Sequence, residues 1–80
     1  MTQREKLIAK IRARPAEADA GDVIGVLELF GWRLDRQTGS HMIFVKPGEA
    51  LMSIPLVRGR RVKRRYLNTL SRKLGLDELP

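Results

Sequence analysis

The sequence predicts a small α+β domain in which helices cover one face of a three-stranded antiparallel sheet, in the order α-α-β-β-β-α. Residues 22–30 have the apolar spacing of a helix, residues 32–55 contain three strand-like stretches separated by turn residues, and residues 63–74 return to helical spacing. Strands flanked by helical segments favour an α+β arrangement. With 80 residues, the chain has room for one small core.

The first 21 residues are expected to form an N-terminal helix and a linker. Thr2 and Glu5 have the spacing of a capping box, in which each side chain bonds a backbone N–H of the other residue. Pro15 stops the helix, so we expect it over 3–14 and a linker over 16–21. Because this helix carries only three large apolar residues, we expect it to pack on the outside of the domain.

The second helix is expected over 22–30. Asp22 is a good N-cap, and Gly31 follows the last periodic residue, where a left-handed residue commonly closes a helix. The apolar residues fall at i, i+3, i+4 and i+7 and therefore share one face: Val23, Val26, Leu27 and Phe30. This face is expected to contribute to the core.

Three strands are expected, over 32–36, 40–46 and 50–55. The first alternates with period two, which places Trp32, Leu34 and Arg36 on one face. The second is apolar on both faces after its start, a pattern typical of a central strand. The three strands therefore predict an antiparallel meander with the second strand in the middle.

The closing helix is expected over 63–74, with its apolar face formed by Leu67, Leu70 and Leu74. Gly75 is placed to cap its C-terminus, and Leu76 to make the apolar contact that often accompanies such a cap. Trp32 and Tyr66 are possible stacking platforms for unpaired bases. We instead expect Trp32 to fill the core and Tyr66 to border the closing helix.

The net charge of +7 is concentrated in the middle and third quarter of the chain. Residues 1–32 carry five basic and five acidic side chains, whereas residues 33–73 carry eleven basic side chains against two acidic ones. Six of the cations fall within residues 58–65, which we call the basic segment. A focused positive field of this kind favours a phosphate backbone or an acidic protein partner. The alternative is a solvated surface that serves solubility.

Composition disfavours several classes of protein. The chain has no cysteine, which excludes a disulfide framework, and one histidine without clustered carboxylates, which argues against a zinc site. No apolar run reaches the roughly 18 residues of a membrane span. The N-terminus begins a charged amphipathic segment rather than a signal peptide. We therefore expect a cytoplasmic protein with no metal and no other cofactor.

His41 is the candidate acid–base residue, because it is the only histidine and histidine titrates near neutrality. A lone histidine on a strand is more often a hydrogen-bonded structural residue. His41, however, follows Gly39-Ser40, a corner where a side chain can stand clear of the sheet. RNA cleavage needs no metal if a base takes the 2′-OH proton and cations stabilise the phosphorane. One histidine with a cluster of arginines is a minimal set of groups for that reaction.

These residues carry a resemblance to a known family. The stretch consists of Phe30-Gly31-Trp32-Arg33-Leu34, Arg36-Gln37, Gly39-Ser40-His41, Ile43-Phe44, Pro47-Gly48, a strand ending in Ile54-Pro55, and a basic helix ending in Leu74-Gly75-Leu76. In this order it resembles the HicA-type toxins, small mRNA interferases of toxin–antitoxin pairs with a fold like a double-stranded-RNA-binding domain (dsRBD). The similarity covers about residues 22–77. It makes 22–80 a HicA-like domain and the N-terminal helix an addition.

The resemblance implies a ribosome-independent endoribonuclease toxin that acts on mRNA, with His41 as the catalytic residue and a HicB-type antitoxin as its partner. The side chains expected to bind RNA phosphate are Arg36, Lys46, Arg58, Arg60, Arg61, Lys63, Arg64 and Arg65, with Gln37 and Ser40 positioning the backbone. The sequence assigns no residue to the general acid. Two alternatives stay open: a non-catalytic RNA-binding module of the same fold, and a basic surface that chiefly docks an acidic protein.

Overall fold

Three α-helices and two antiparallel sheets make up the fold, which a computed structural model describes for all of residues 1–80. In chain order the elements are α1 (Gln3–Arg12), β1 (Glu17–Asp19), α2 (Ala20–Leu29), β2 (Arg33–Thr38), β3 (His41–Val45), β4 (Met52–Pro55), β5 (Arg61–Lys63) and α3 (Arg64–Leu74), followed by a 3-10 turn at Leu76–Glu78. None of the helices combines the length and the apolar character of a membrane span.

The main sheet is the predicted antiparallel meander, with strand order β2-β3-β4 and the His41 strand in the centre. Met42 and Phe44 of β3 point into the core and are 1% and 0% exposed. Ile43, on the opposite face of the strand, is also buried. The predicted central position of β3 is confirmed, because the strand has a hydrogen-bonded neighbour on each side.

Helix α1 begins with the predicted capping box. Glu5 N–H donates to Thr2 Oγ1, and Thr2 N–H donates to Glu5 Oε1, each at 3.1 Å. Because the Thr2 backbone N–H and hydroxyl stabilise the carboxylate, the pKa of Glu5 lies below its ordinary value. The helix ends at Arg12, two residues earlier than expected.

Helix α1 belongs to the core, and the expectation that it packs on the outside is wrong. Ile11 is fully buried in the same apolar cluster as residues of α2 and α3. Leu7 packs over Gly25 of α2, where a Cβ atom would come within 3.2 Å of Leu7 Cδ1. A glycine at this point lets the two helices approach closely. A few large side chains are therefore enough to join α1 to the core.

The expected linker at 16–21 contains β1 and the start of α2 instead. In a two-stranded antiparallel sheet, β1 pairs with β5 as Glu17 with Lys63, Ala18 with Val62, and Asp19 with Arg61. Asp19, rather than Asp22, is the N-cap of α2, and its carboxylate accepts a hydrogen bond from Gly21 N–H at 3.0 Å. The sequence does not reveal β1, because three residues with one apolar side chain carry no period-two pattern.

Helix α3 and its C-terminal cap agree with the prediction. Leu67 and Leu70 are fully buried, and Leu74 is half-buried beside them. Gly75 has a φ of 69°, the left-handed conformation that closes many helices, and Leu76 behind it is fully buried.

The two aromatic side chains considered as stacking platforms take the structural places that we expect. Trp32 is 3% exposed in the core, and Tyr66 is half-buried at its border. Lys73 Nζ lies 5.6 Å from the centroid of the Trp32 ring, and Arg65 Cζ lies 5.5 Å from that of Tyr66. Cation–π contacts of this kind occupy one face of each ring.

Candidate nucleic-acid interface

His41 is the first residue of β3 and follows a two-residue hairpin turn, Gly39-Ser40. Gly39 has a φ of 60°, a conformation that costs glycine little because it has no Cβ atom. Leu56 N–H donates to the Ser40 carbonyl at 2.6 Å, which ties the turn to the end of β4. Thr38 of β2 and Pro55 of β4 lie directly opposite His41. The start of the central strand is therefore held from both sides.

The side chain of His41 lies on the face of the main sheet that the helices leave uncovered. Successive residues of a strand point to opposite faces, and Met42 and Phe44 face the helices. His41, Ile43 and Val45 therefore share the other side of the sheet, which we call the open face. His41 is exposed there and outside the hydrogen-bond and ion-pair networks of the chain. This arrangement does not fit a hydrogen-bonded structural histidine.

A β-bulge at Asp35 decides which residues of β2 share the open face. The pairing runs Arg33 with Val45, Leu34 with Phe44, and then, after one unpaired residue, Arg36 with Ile43. Because directly paired residues point to the same face, Arg36 and Thr38 lie on the open face and Leu34 lies on the core face. The prediction that Trp32, Leu34 and Arg36 share one face is therefore wrong for Arg36.

Arg36 and Ser53 flank His41 on the open face. Each lies opposite Ile43, one on either neighbouring strand, so both are diagonal neighbours of His41. Diagonal neighbours are about 7–8 Å apart, within reach of a long side chain. The open face thus brings an imidazole, a guanidinium and two hydroxyls, those of Thr38 and Ser53, to one place. Sequence reasoning did not find Ser53, because only the register of β3 with β4 assigns it to this face.

The basic segment forms a turn, a strand and the start of a helix. Residues 58–60 make a turn that is closed by a bridge between Val57 and Arg61. Arg58 and Gly59 both have positive φ values, 52° and 72°. Residues 61–63 are β5, and Arg64 begins α3. The six cations are therefore fixed on three connected elements instead of one flexible loop.

An open groove of about 560 Å³ lies against the basic segment and is lined by Ala16, Glu17, Arg61, Lys63, Arg64 and Arg65. Lys63 is the N-cap residue of α3, but its side chain makes no capping hydrogen bond. Instead, Arg64 N–H donates to the Ala16 carbonyl at 3.0 Å, which joins the start of α3 to the residue before β1. The groove is strongly cationic, with Glu17 as the one carboxylate in its wall.

Three arginines of the basic segment have partners in the N-terminal part of the chain. Glu17 forms ion pairs with Arg58 and with Arg61, the latter at 3.7 Å. Arg64 Nε donates to the carbonyl of Arg14 at 2.8 Å. The other three cations, Arg60, Lys63 and Arg65, are exposed.

The strand register connects the basic segment to His41. Pro55 lies opposite His41, and Leu56 and Val57 alone separate Pro55 from Arg58. Three residues span at most about 11 Å, so the Cα atom of Arg58 lies within about 11 Å of that of Pro55. The turn at 58–60 therefore lies near the end of the main sheet at which His41 is placed.

The model of the family described as HicA toxin of bacterial toxin-antitoxin matches residues 20–76. The chain belongs to the HicA toxin family. Searches of curated proteins and of solved structures returned no match. The range that matches the HicA family contains the main sheet, His41 and the basic segment, whereas α1 and β1 precede it.

Membership of the HicA family makes the protein a toxin of a toxin–antitoxin system, with an antitoxin as its partner. The predicted α+β fold is confirmed: the helices and the three-stranded sheet agree with the dsRBD-like fold of HicA. The structure also contains the two-stranded sheet of β1 and β5, which the sequence did not predict. Its first strand lies outside the range that matches the family.

The side chains of Lys46 and Gln37, both predicted to contact RNA, bond backbone carbonyls in this HicA fold. Lys46 Nζ donates to the Phe30 carbonyl at 2.9 Å, and a cation at this position stabilises the C-terminus of α2. Gln37 Nε2 donates to the Gly39 carbonyl at 3.1 Å and closes the hairpin turn. Ser40 is exposed, and its backbone carbonyl accepts the hydrogen bond from Leu56, the residue after β4.

Proposed function

We propose that this HicA family member is a ribosome-independent endoribonuclease that cleaves mRNA without a metal ion, with His41 as the general base. The observation that carries the proposal is the exposed, unbonded imidazole of His41 on the open face, with Arg36 as a diagonal neighbour. A base that acts on a polymer must be reachable from solvent and free to accept a proton. His41 meets both conditions.

In the proposed reaction His41 accepts the proton of a 2′-OH group. The O2′ atom then forms a bond to phosphorus and the P–O5′ bond breaks, which leaves a 2′,3′-cyclic phosphate and a 5′ oxygen that takes up a proton. General base catalysis typically contributes about 10²–10⁴-fold. Arg36 is placed to stabilise the negative charge that develops on the phosphorane oxygens.

The RNA backbone is proposed to extend from the open face along the basic segment. The cations that would bind its phosphates are Arg58, Arg60, Arg61, Lys63, Arg64 and Arg65. Each phosphate of a single strand that is neutralised adds about 0.7 to the log–log salt dependence of binding. Ser40 would position the backbone at the hairpin turn. Lys46 and Gln37 are left out, because the terminal nitrogen of each side chain bonds a backbone carbonyl. Arg64 is kept, because it bonds the Arg14 carbonyl through Nε and not through its terminal nitrogens.

The proposed HicA-like domain is residues 22–80, with residues 1–21 as an addition, and the proposed place of action is the cytoplasm.

We propose further that the antitoxin is of the HicB type and covers the open face. Arg33, Arg36 and His41 are exposed there. An acidic partner on this face would exclude RNA from His41.

A non-catalytic RNA-binding module is the second candidate. It is favoured by the basic groove, whose cations do not include His41. Such a module would bind RNA with strong salt dependence and would not cleave it. Replacement of His41 would leave its affinity unchanged.

The experiment that separates these functions uses purified protein, EDTA and a synthetic RNA of mixed sequence. The controls are the same RNA with a single 2′-deoxy position at each cut site and the His41→Ala protein, whose fold is checked by circular dichroism. We expect cleavage in EDTA that is lost with the deoxy substrate and with the variant. Undiminished cleavage by His41→Ala would refute the assignment of the base. Salt-sensitive binding without any cleavage would establish the binding module.

A further inference from the structure

Residues 14–19, which we call the N-terminal segment, contact three of the six cations in the basic segment. Glu17 of β1 forms ion pairs with both Arg58 and Arg61. Asp19 lies 3.8 Å from Arg61 Nη1, and the Arg14 carbonyl accepts the hydrogen bond from Arg64 Nε. All three of these N-terminal residues precede residue 20, where the match to the HicA family begins. A segment outside the range that matches the family therefore contacts arginine side chains inside that range.

Glu17 is the acidic residue that joins this segment to the groove. It lines the groove together with four cations. Its side chain is 27% exposed, whereas those of Arg58 and Arg61 are 66% and 37% exposed. The pairing of β1 with β5 keeps Glu17 in place. Glu17 lies opposite Lys63, and its neighbour Ala18 lies opposite Val62, which is fully buried. The carboxylate is fixed, and the arginine side chains remain partly accessible.

A carboxylate and a phosphate use the same donors of an arginine. Both accept paired N–H bonds from a guanidinium, so they compete when they reach it from the same side. Exposed ion pairs of this kind are weak and are screened by salt, so a densely charged polymer can displace the internal carboxylate. A phosphate that takes the donors of Arg58 or Arg61 facing Glu17 must therefore displace this carboxylate.

We propose that Glu17 is a determinant of RNA affinity, an internal anion that occupies Arg58 and Arg61 until a phosphate backbone displaces it. The proposal rests on the function proposed above, in which the basic segment binds RNA. It assigns to the N-terminal segment a role in tuning that binding. Removal of the negative charge at position 17 then strengthens binding, and it does so through these two arginines.

The test measures RNA affinity by fluorescence anisotropy at several salt concentrations, in the His41→Ala background so that cleavage does not interfere. Glu17→Gln removes the charge and keeps a side chain that can accept hydrogen bonds. Glu49→Gln is the matched control, because Glu49 is an exposed carboxylate in a turn, outside the groove and in no ion pair. Both variants are compared with the parent protein by thermal unfolding.

We expect Glu17→Gln to raise RNA affinity by about fivefold at 0.1 M salt and to steepen the log–log salt slope by about 0.7, because one negative charge is removed from the binding surface. Glu49→Gln should change neither quantity appreciably. The gain should disappear when Glu17→Gln is made in an Arg58→Gln/Arg61→Gln protein, because the two groups through which Glu17 acts are then absent.

Three outcomes overturn the inference. An equal gain from Glu17→Gln and Glu49→Gln would show a general effect of net charge. A gain that persists without Arg58 and Arg61 would show that Glu17 does not act through them, and a folded Glu17→Gln protein without any gain would show that it does not compete with RNA. The function proposed above fails separately, if the His41→Ala protein without further substitutions does not bind RNA.

Discussion

Arg36 lies directly opposite Ile43 on the open face. Regular alternation would instead place it on the core face with Leu34, which lies two residues earlier. The unpaired Asp35 between them reverses the alternation. Its carboxylate accepts a hydrogen bond from Arg36 Nη1 at 2.5 Å and lies 3.6 Å from Arg33 Nη1. The bulge thus turns an arginine to the side of His41 and supplies the anion that orients it, a use of bulges that is common next to active sites.

Arg36→Ala is expected to lower the rate of RNA cleavage by about 10²-fold, the typical effect of losing one donor to a developing anion. Arg33→Ala is the matched control, because Arg33 also pairs with Asp35 but lies opposite Val45, at the far end of the open face from His41. Single-turnover cleavage of a synthetic RNA measures both rates. Equal losses in the two variants would mean that Arg36 acts only through the charge of the face.

Lys46→Met and Lys63→Met are expected to separate stability from binding. The loss of the Lys46 bond to the end of α2 should lower the free energy of unfolding by about 0.3–1 kcal/mol and leave RNA affinity nearly unchanged. Lys63→Met should have the opposite pattern, with the salt slope reduced by about 0.7. Urea unfolding and RNA titration measure the two quantities. A large loss of affinity in Lys46→Met would return Lys46 to the RNA-binding set.

Ile11→Ala is expected to lower the free energy of unfolding by about 2–5 kcal/mol, because Ile11 is fully buried and its truncation leaves a cavity. Ile8→Ala, at a half-buried position of the same helix, should cost clearly less. Urea unfolding measures both changes. Similar small losses would mean that α1 contributes little to the core.

Ser71→Ala is expected to raise the free energy of unfolding by about 1 kcal/mol. The Ser71 hydroxyl is fully buried in α3 and has no hydrogen-bond partner, so its removal relieves an uncompensated loss of hydration. Ser53→Ala, at an exposed position, is the control for the substitution itself. Destabilisation by Ser71→Ala would show that the hydroxyl is satisfied in solution.

Glu5→Ala is expected to lower the melting temperature at neutral pH and to lose this effect in acid. The pKa of Glu5 is depressed in the folded protein, first by the Thr2 backbone N–H and then by its hydroxyl. A depressed carboxyl pKa stabilises the fold above the unfolded value of 4.5, and the contribution is lost as the pH falls through the lower, folded value. Thermal scans across this range test it, with Glu49→Ala as the control. A difference that does not depend on pH would exclude the ionised capping box as its cause.

Much of the fold follows from local patterns in the sequence. The capping box of Thr2 and Glu5, the glycine cap after α3 and the central position of the His41 strand depend on residues that are close along the chain. Helix periodicity and turn chemistry act over the same short distances. For that reason the amino-acid sequence is enough to predict the order of the large elements and the position of His41 at the start of the central strand.

The contacts that shape the candidate site depend on pairing between distant residues. The sequence contains Glu17, Arg36 and Lys46, but not the register that gives Glu17 two arginine partners, turns Arg36 to the open face or aims Lys46 at the end of α2. A one-residue change of register reverses every side chain of a strand. The sequence by itself thus determined the helices, the meander and the cationic character of this HicA protein. Only the tertiary structure decided which arginine lies near His41 and which arginines form internal ion pairs. The physical reason is that these contacts depend on the pairing of strands that are distant along the chain or interrupted by a bulge.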